Sequence, residues 1–347
     1  MNSKSSLTSK INQSMDKSII RKWLSSIFLT LAAFTTVAHA ADSTPVVIGK
    51  NDWLFTTYEF ASASDAHDTE VTIQLLQKVN GLFERQGIAL LLVLVPSKIR
   101  IYSDQLPDAK ALDDYTAGKY ESVFKALQAG GVNVVNLNQA FLTSPQRASA
   151  TPLFLRLDTH WSPAGALLAA ETVKATIEAS PGLTLALSAT PEVKYALTWA
   201  KRKVIHKARD LVGYLPKGTP SFAWEQILLF GATREQPSQA SLLGTGDVIG
   251  ITAIGSSYTD KNTGYPDALR YTLQRDLLDI SIPGTHGPWV GMETYLKDDA
   301  FKKNKPKLII WEIPEREMRA PPNYKFREAR YISDNKEWFS RISGLLK

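Results

Sequence analysis

Two hydrophobic periods alternate along most of the chain. From Thr69 to Gln86, Val71, Ile73, Leu75, Leu76, Val79, Leu82 and Phe83 recur at near-helical spacing, and Gly87 follows as a stop. Ile88 to Val95 is then an unbroken apolar run, IALLLVLV, that ends at Pro96. Such a run predicts a strand covered on both faces, as in a parallel sheet. The alternation repeats. Tyr115–Ala129 has a helical pattern and ends at Gly130-Gly131, and Val132–Leu137 reads as a strand. Pro163–Ala179 reads as a helix with Ser162 as its N-cap and Pro163 at its first position. Val248–Gly255 (VIGITAIG) and Leu308–Ile313 (LIIWEI) are two more buried strands. Near the start, two short apolar runs flank Gly49-Lys50-Asn51-Asp52, which predicts a β-hairpin over Val46–Tyr58. Strands alternating with helices of these lengths define an α/β class: a three-layer α/β/α domain around a mainly parallel sheet. Residues 181–246 break the rhythm with Pro, Gly, Ser and Thr, and read as an irregular insertion rather than a separate domain.

Composition narrows this picture. A chain of 347 residues can bury a large core without staples, and the absence of cysteine rules out disulfides, thiolate metal sites and a cysteine nucleophile. The formal net charge of +6 is concentrated at the N-terminus, where Lys4, Lys10, Lys17, Arg21 and Lys22 face only Asp16 within the first 40 residues. The near-neutral remainder gives no footprint for nucleic acid. The basic flank, the apolar stretch Trp23–Phe34 and Ala38-His39-Ala40 read as a secretory signal over residues 1–40, with an uncleaved signal anchor as the alternative. The globular body, 41–347, is therefore expected outside the cytoplasm, in a bacterial periplasm.

In open α/β sheets ligands bind beyond the carboxyl ends of the strands, so polar residues there are the candidates for chemistry. Gly255-Ser256-Ser257-Tyr258 directly follows a predicted strand, and a serine on such a turn is placed to act as a nucleophile beside backbone N–H groups. A plain polar turn is the competing reading. In Leu155–Gly165, Asp158 and His160 are two apart, so an extended segment puts both on one side, where the carboxylate can orient the imidazole. The same two side chains also suit a metal site, or ordinary surface polarity. Five histidines occur in the whole chain, His39, His67, His160, His206 and His286, and none forms a His-x-x-x-His pair. No metal or cofactor is therefore expected. His160 is the best-placed base, His286 in a Gly/Pro-rich loop is its rival, and His67 and His206 read as solvated. Trp161 is expected to shield the site.

These segments together resemble the alginate O-acetyltransferase AlgJ/AlgX family, whose domain is similar to SGNH hydrolases. Asp158-Thr159-His160-Trp161 followed by Gly255-Ser256-Ser257-Tyr258 carries the resemblance. Gly49–Phe55, Val95–Lys98 with Tyr102 and Leu106-Pro107, and Lys307–Arg316 support it, over roughly residues 46–318. It implies a Ser257–His160–Asp158 triad, with Ser257 rather than Ser256 as nucleophile, and an acetyl group carried through acyl-serine onto a bacterial exopolysaccharide, alginate or another such as cellulose. Tyr258, Trp161, His286 and Gly287 are placed as substrate-binding or oxyanion candidates, although Gly284–Pro288 departs from the family pattern. The implied partners are a polysaccharide acceptor, a membrane-bound O-acyltransferase-type donor and an inner-membrane secretion complex. The AlgJ-like branch is expected to be the nearer one, as the sequence after Arg316 is too short for the carbohydrate-binding module of the AlgX branch. A carbohydrate acetyl-esterase with the same triad, and a non-catalytic glycan-binding subunit using the tryptophans and tyrosines, are the alternative functions.

Overall fold

The computed structural model describes residues 45–235 and 249–347. The expected signal or anchor, and the end of the expected insertion, lie outside the described residues. The chain opens with an antiparallel hairpin, β1 (Val46–Ile48) and β2 (Leu54–Thr56). Next come α1 (Ala66–Arg85), β3 (Ala89–Val95), the short α2 (Lys98–Ile101), α3 (Asp114–Ala129), β4 (Asn133–Asn136) and α4 (Leu137–Thr143). Helices α5 (Pro163–Glu178) and α6 (Pro181–Ser188) precede four short strands, β5 (Tyr195–Trp199), β6 (Val204–Ile205), β7 (Gln226–Ile227) and β8 (Phe230–Arg234). The last part runs β9 (Ile251–Gly255), α7 (Tyr265–Leu273), β10 (Leu278–Ser281), α8 (Pro288–Lys297), α9 (Asp299–Lys303), β11 (Leu308–Pro314) and α10 (Asn335–Leu345).

The central sheet has the order β10-β9-β11-β3-β4, and every pairing in it is parallel. The unbroken apolar runs have a direct cause in its two faces. Leu91, Val93 and Val95 of β3 point into one core with Ala166, Ala170 and Val173 of α5 and Leu269 of α7. Leu90, Leu92 and Leu94 point into the other, with Leu76 and Val79 of α1, Tyr120 of α3, Met292 of α8 and Ile342 of α10. A polar residue at either parity would be buried, which explains why β3 reads as apolar throughout. Ser162 caps α5 through its hydroxyl, which accepts from Gly165 N–H at 3.2 Å, as its place before Pro163 predicts.

The expected three-layer α/β/α architecture is present. The described part of the expected insertion, residues 181–235, is less irregular than expected. It begins with a helix, and β5 pairs with β8 while β6 pairs with β7, both antiparallel, as two short two-stranded ribbons. Their strands are two to five residues long and none is fully buried, so no apolar run marks them in the sequence. Strand β10 and helices α7, α8 and α10 were not anticipated either. Strand β10 is an edge strand of four residues, LDIS, whose apolar–polar alternation is too short to stand out. Among the described residues, no helix is long and apolar enough to cross a membrane.

Candidate active site

The parallel strands end on a common edge, and three of the following turns meet there. Strand β3 runs into Ser97-Lys98, β9 into Ser256-Ser257, and β11 into Glu315-Arg316. The fourth contribution is a loop tied at its base. Phe154 bridges Trp161, Leu155 N–H donates to His160 O at 3.1 Å, and Ser162 N–H donates to Leu153 O at 2.8 Å. The loop tip holds Arg156 to Thr159.

Three side chains converge from these turns. His160 Nε2 lies 2.7 Å from Ser257 Oγ, and His160 Nδ1 lies 2.6 Å from Asp158 Oδ1. Asp158 Oδ1 also accepts the backbone N–H of His160 at 3.0 Å. A carboxylate has no proton to give, so Nδ1 carries the hydrogen and Nε2 is left as the acceptor for the serine hydroxyl. Asp158 is buried, and burial alone would raise its pKa. The hydrogen bond and charge of His160, with His206 close by, overcome this and hold the carboxyl well below its usual range. Asp158 therefore stays an anion that stabilises the imidazolium formed whenever His160 takes a proton.

The neighbouring serine is differently engaged. Ser256 N–H donates to Glu312 Oε2 at 2.6 Å, and its hydroxyl reaches both carboxylate oxygens at 3.0 and 3.1 Å. Thr259 adds a hydroxyl at 3.2 Å. Ser256 is thus a strut under the turn, while Ser257 faces the imidazole, a distinction invisible in the pair of letters. Glycine is required at 255 because a Cβ would overlap Thr259 Oγ1 and the Glu312 carboxylate. Glu312 itself is fully enclosed, and burial pushes its pKa up to about 7 against the hydrogen bonds from Ser256.

The loop bearing Asp158 and His160 is held from both sides. The buried Lys98 ammonium donates to the carbonyls of Leu54, Arg156 and Asp158 at 2.6, 2.8 and 3.0 Å. Burial lowers its pKa to about 8 despite nearby carboxylates. From the insertion, Glu225 accepts the N–H groups of Arg156 and Leu157 at 2.7 and 2.9 Å. Asp210 accepts Thr159 N–H at 2.8 Å and its hydroxyl at 2.5 Å, and its own N–H reaches Asp158 Oδ2 at 3.3 Å. Sequence reasoning missed Lys98, Asp210, Glu225 and Glu312 as site residues, because a buried charge pairing with main chain leaves no periodic signal. It also placed His206 in solvent. His206 instead projects toward the site, with Nε2 3.9 Å from Asp158 Oδ2, an electrostatic contact too long for a hydrogen bond.

The four secondary candidates fare unevenly. Tyr258 and Trp161 are each 1% exposed, so neither offers a face to a substrate. Their rings pack against each other at 5.1 Å, and the Tyr258 hydroxyl donates to Thr159 O at 2.5 Å, bracing the loop from beneath. His286 pairs with the Tyr331 hydroxyl at 2.6 Å rather than with Ser257, His160 or Asp158. Gly287 has φ +80°, and the Arg327 guanidinium occupies the space where a Cβ would go. Among the described residues no protein acceptor takes the Ser257 N–H, which leaves it available to an oxyanion. Asp158, His160 and Asp210 also place ligand-type atoms within 4.8 Å of one another, and each already has protein hydrogen-bond partners. A cavity of about 1130 Å³ opens elsewhere, between Tyr102, Arg147, Leu168 and Trp199, and none of Ser257, His160 and Asp158 lines it.

A parallel α/β sheet with these strand-end turns defines an SGNH hydrolase-like protein, and comparison with known proteins agrees. Residues 46–315 match the family model described as the SGNH hydrolase-like domain of the acetyltransferase AlgX, and the chain belongs to that family. Among similar proteins is a probable alginate O-acetylase AlgJ of Pseudomonas syringae pv. tomato, 29% identical over 84% of this chain and 74% of its own. Another, from Pseudomonas fluorescens, is 30% identical over 82% of this chain and 70% of its own. The alginate biosynthesis protein AlgX of Pseudomonas putida is 30% identical over 80% of this chain but only 58% of its own length. In fold, the chain superimposes on the O-acetyltransferase domain of Pseudomonas putida AlgJ with TM-score 0.70 at 23% identity, covering 86% of this chain and 98% of that one.

Proposed function

We propose that the protein is a polysaccharide O-acetyltransferase in which Ser257 carries the acetyl group, His160 moves the proton and Asp158 holds His160. The hydrogen-bonded line Asp158–His160–Ser257 is the observation that carries this reading. Ser257 Oγ attacks the acetyl carbonyl of the donor and gives its proton to His160 Nε2. The tetrahedral oxyanion faces the free Ser257 N–H. It collapses as the donor's leaving oxygen takes the proton from His160, leaving acetyl-Ser257. A sugar hydroxyl then attacks, passes its proton to His160 and departs acetylated, and Ser257 recovers its hydrogen.

The acceptor we infer is a bacterial exopolysaccharide, alginate or a related polymer, because the similar proteins are named for alginate. The reaction is placed in the periplasm, with acetyl groups supplied by a membrane-bound O-acyltransferase-type partner of a secretion complex. The basic and apolar pattern of residues 1–40 supports that side of the membrane. The same triad with water as acceptor is an esterase, and the two separate by product. Incubation with an acetyl-ester donor should yield acetylated oligosaccharide when glycan is present and only slow acetate release when it is absent. Equal acetate release under both conditions, with no acetylated glycan, would establish the esterase instead.

A further inference from the structure

The ribbon β6–β7 has two unlike faces. Val204 pairs with Ile227 and Ile205 with Gln226, and His206 N–H donates to Glu225 O at 2.9 Å. Alternate residues of a strand face opposite ways, and cross-strand partners share a face. One face is fixed by its contacts: His206 and Glu225 turn inward, onto Asp158 and the Arg156–Leu157 main chain. The other face, Ile205 and the neighbouring Lys207 and Trp224, is therefore turned outward. Ile205 is 54% and Trp224 51% exposed, and the Arg209 guanidinium lies 3.4 Å over the Trp224 ring.

This outward face belongs to a wider anomaly. Six of the twelve large apolar side chains exposed among the described residues fall between Trp199 and Leu229. Lys201, Arg202, Lys203, Lys207 and Lys217 are exposed in the same segment, and no carboxylate among the described residues pairs with any of them. The segment's two acids, Asp210 and Glu225, are both spent on the 156–159 loop. The exposed side chains of this segment are consequently aromatic, aliphatic and uncompensated in positive charge, with Trp199 and Lys203 turned to the cavity and Ile205, Lys207 and Trp224 to the outward face.

We propose that this surface, centred on Ile205, Lys207, Arg209 and Trp224, docks the protein onto a membrane rich in anionic phospholipid. Aromatic rings, branched aliphatics and long basic side chains together suit the headgroup–acyl boundary, where ring and stem are buried and the charge meets phosphate. A soluble polyanion would engage the cations and rings but gives no reason for the exposed branched aliphatic Ile205 between them. Position agrees. Val46, at the start of β1, shares a small apolar cluster with Leu211 of the same insertion. The 11 residues Thr35–Pro45 that join the apolar stretch Trp23–Phe34 to that point reach at most about 40 Å. A chain whose N-terminal stretch meets a membrane would thus carry this face within reach of the same bilayer.

The test uses the full chain and phospholipid vesicles carrying brominated acyl chains, which quench only tryptophans that enter the bilayer. The Trp224→Phe protein isolates the signal of Trp224 by difference. With phosphatidylglycerol vesicles, wild type should lose fluorescence that Trp224→Phe does not contain. The difference should fall several-fold in pure phosphatidylcholine and in Lys201→Glu/Lys207→Glu, whose exposed substitutions leave the fold intact. Identical quenching of wild type and Trp224→Phe in phosphatidylglycerol overturns the proposal. So does a Trp224 response to soluble oligouronate with none to brominated lipid, which would make the surface a glycan site.

Discussion

Glu312 should make the fold pH-sensitive in a way that a single amide removes. Its carboxyl is fully enclosed, and its hydrogen-bond donors come from Ser256 and Thr259. Burial raises its pKa from an ordinary value of 4.5 to about 7. The folded protein therefore keeps this proton where the unfolded chain has lost it. The associated stability is fully present below about 4.5, is lost as pH rises through about 7, and stays lost above. At 1.36 kcal/mol per unit, the shift corresponds to roughly 3 kcal/mol. Glu312→Gln keeps an oxygen for Ser256 N–H and turns an amide toward the Ser256 hydroxyl, which accepts as readily as it donates. Urea unfolding of both proteins at pH 4.5 and pH 8 isolates the effect, since every other titrating group is common to both. The stability difference should move by about 3 kcal/mol in favour of the glutamine protein between the two conditions. A difference that stays constant with pH to within about 1 kcal/mol would refute the reasoning, because it would mean the carboxyl is already ionised at pH 4.5 or is hydrated in the fold.

Other perturbations follow from the same geometry. Asp158→Asn leaves His160 in place but no longer demands a hydrogen on Nδ1, so kcat for acetyl transfer should fall about 10⁴-fold, with some loss of stability at neutral pH because the ionised carboxyl favours the fold; a loss of kcat under tenfold in steady-state assays would count against the proposed triad. Gly255→Ala forces a methyl group against Thr259 and Glu312. It should destabilise by about 1–3 kcal/mol in urea titrations and slow acylation as the turn shifts. Lys98→Met strips one donor from three carbonyls, including that of Asp158. A loss of about 3 kcal/mol in stability is expected, together with a fall in kcat, because an unpaired buried carbonyl is costly; unchanged turnover would show that the 156–160 loop holds its shape without it.

How much of this was legible in the letters depends on what each residue packs against. Strands β3, β9 and β11 announced themselves because both faces are covered, which leaves near-continuous apolar runs interrupted only by Thr252 and Glu312, each buried on hydrogen bonds. Edge strand β10 alternates over only four residues and β6 and β7 are two residues each and largely exposed, so none gives a run long enough to read. Asp158 and His160 could be paired by their spacing, since two residues apart in an extended loop share a side. Ser257 could be chosen over Ser256 only by resemblance; the physical reason is a glutamate 56 residues away that occupies Ser256. Trp161 and Tyr258 stood among the substrate-binding or oxyanion candidates, Trp161 also as a shield, and both are buried against each other beneath His160. His206 looked solvated because a polar flank is all its sequence shows, and the ribbon that turns it inward is a tertiary fact.

The central claim is that Ser257 is the acyl carrier. Brief exposure to an acetyl-ester donor, acid quenching and mapping of the digested protein by mass spectrometry read this directly. One acetyl group should appear on the peptide containing Ser257. It should persist in Ser256→Ala, disappear in Ser257→Ala, and be discharged by glycan acceptor in step with acetylated product. Acetyl on Ser256, or turnover of glycan by Ser257→Ala at the wild-type rate with no acyl-enzyme at all, would contradict the account.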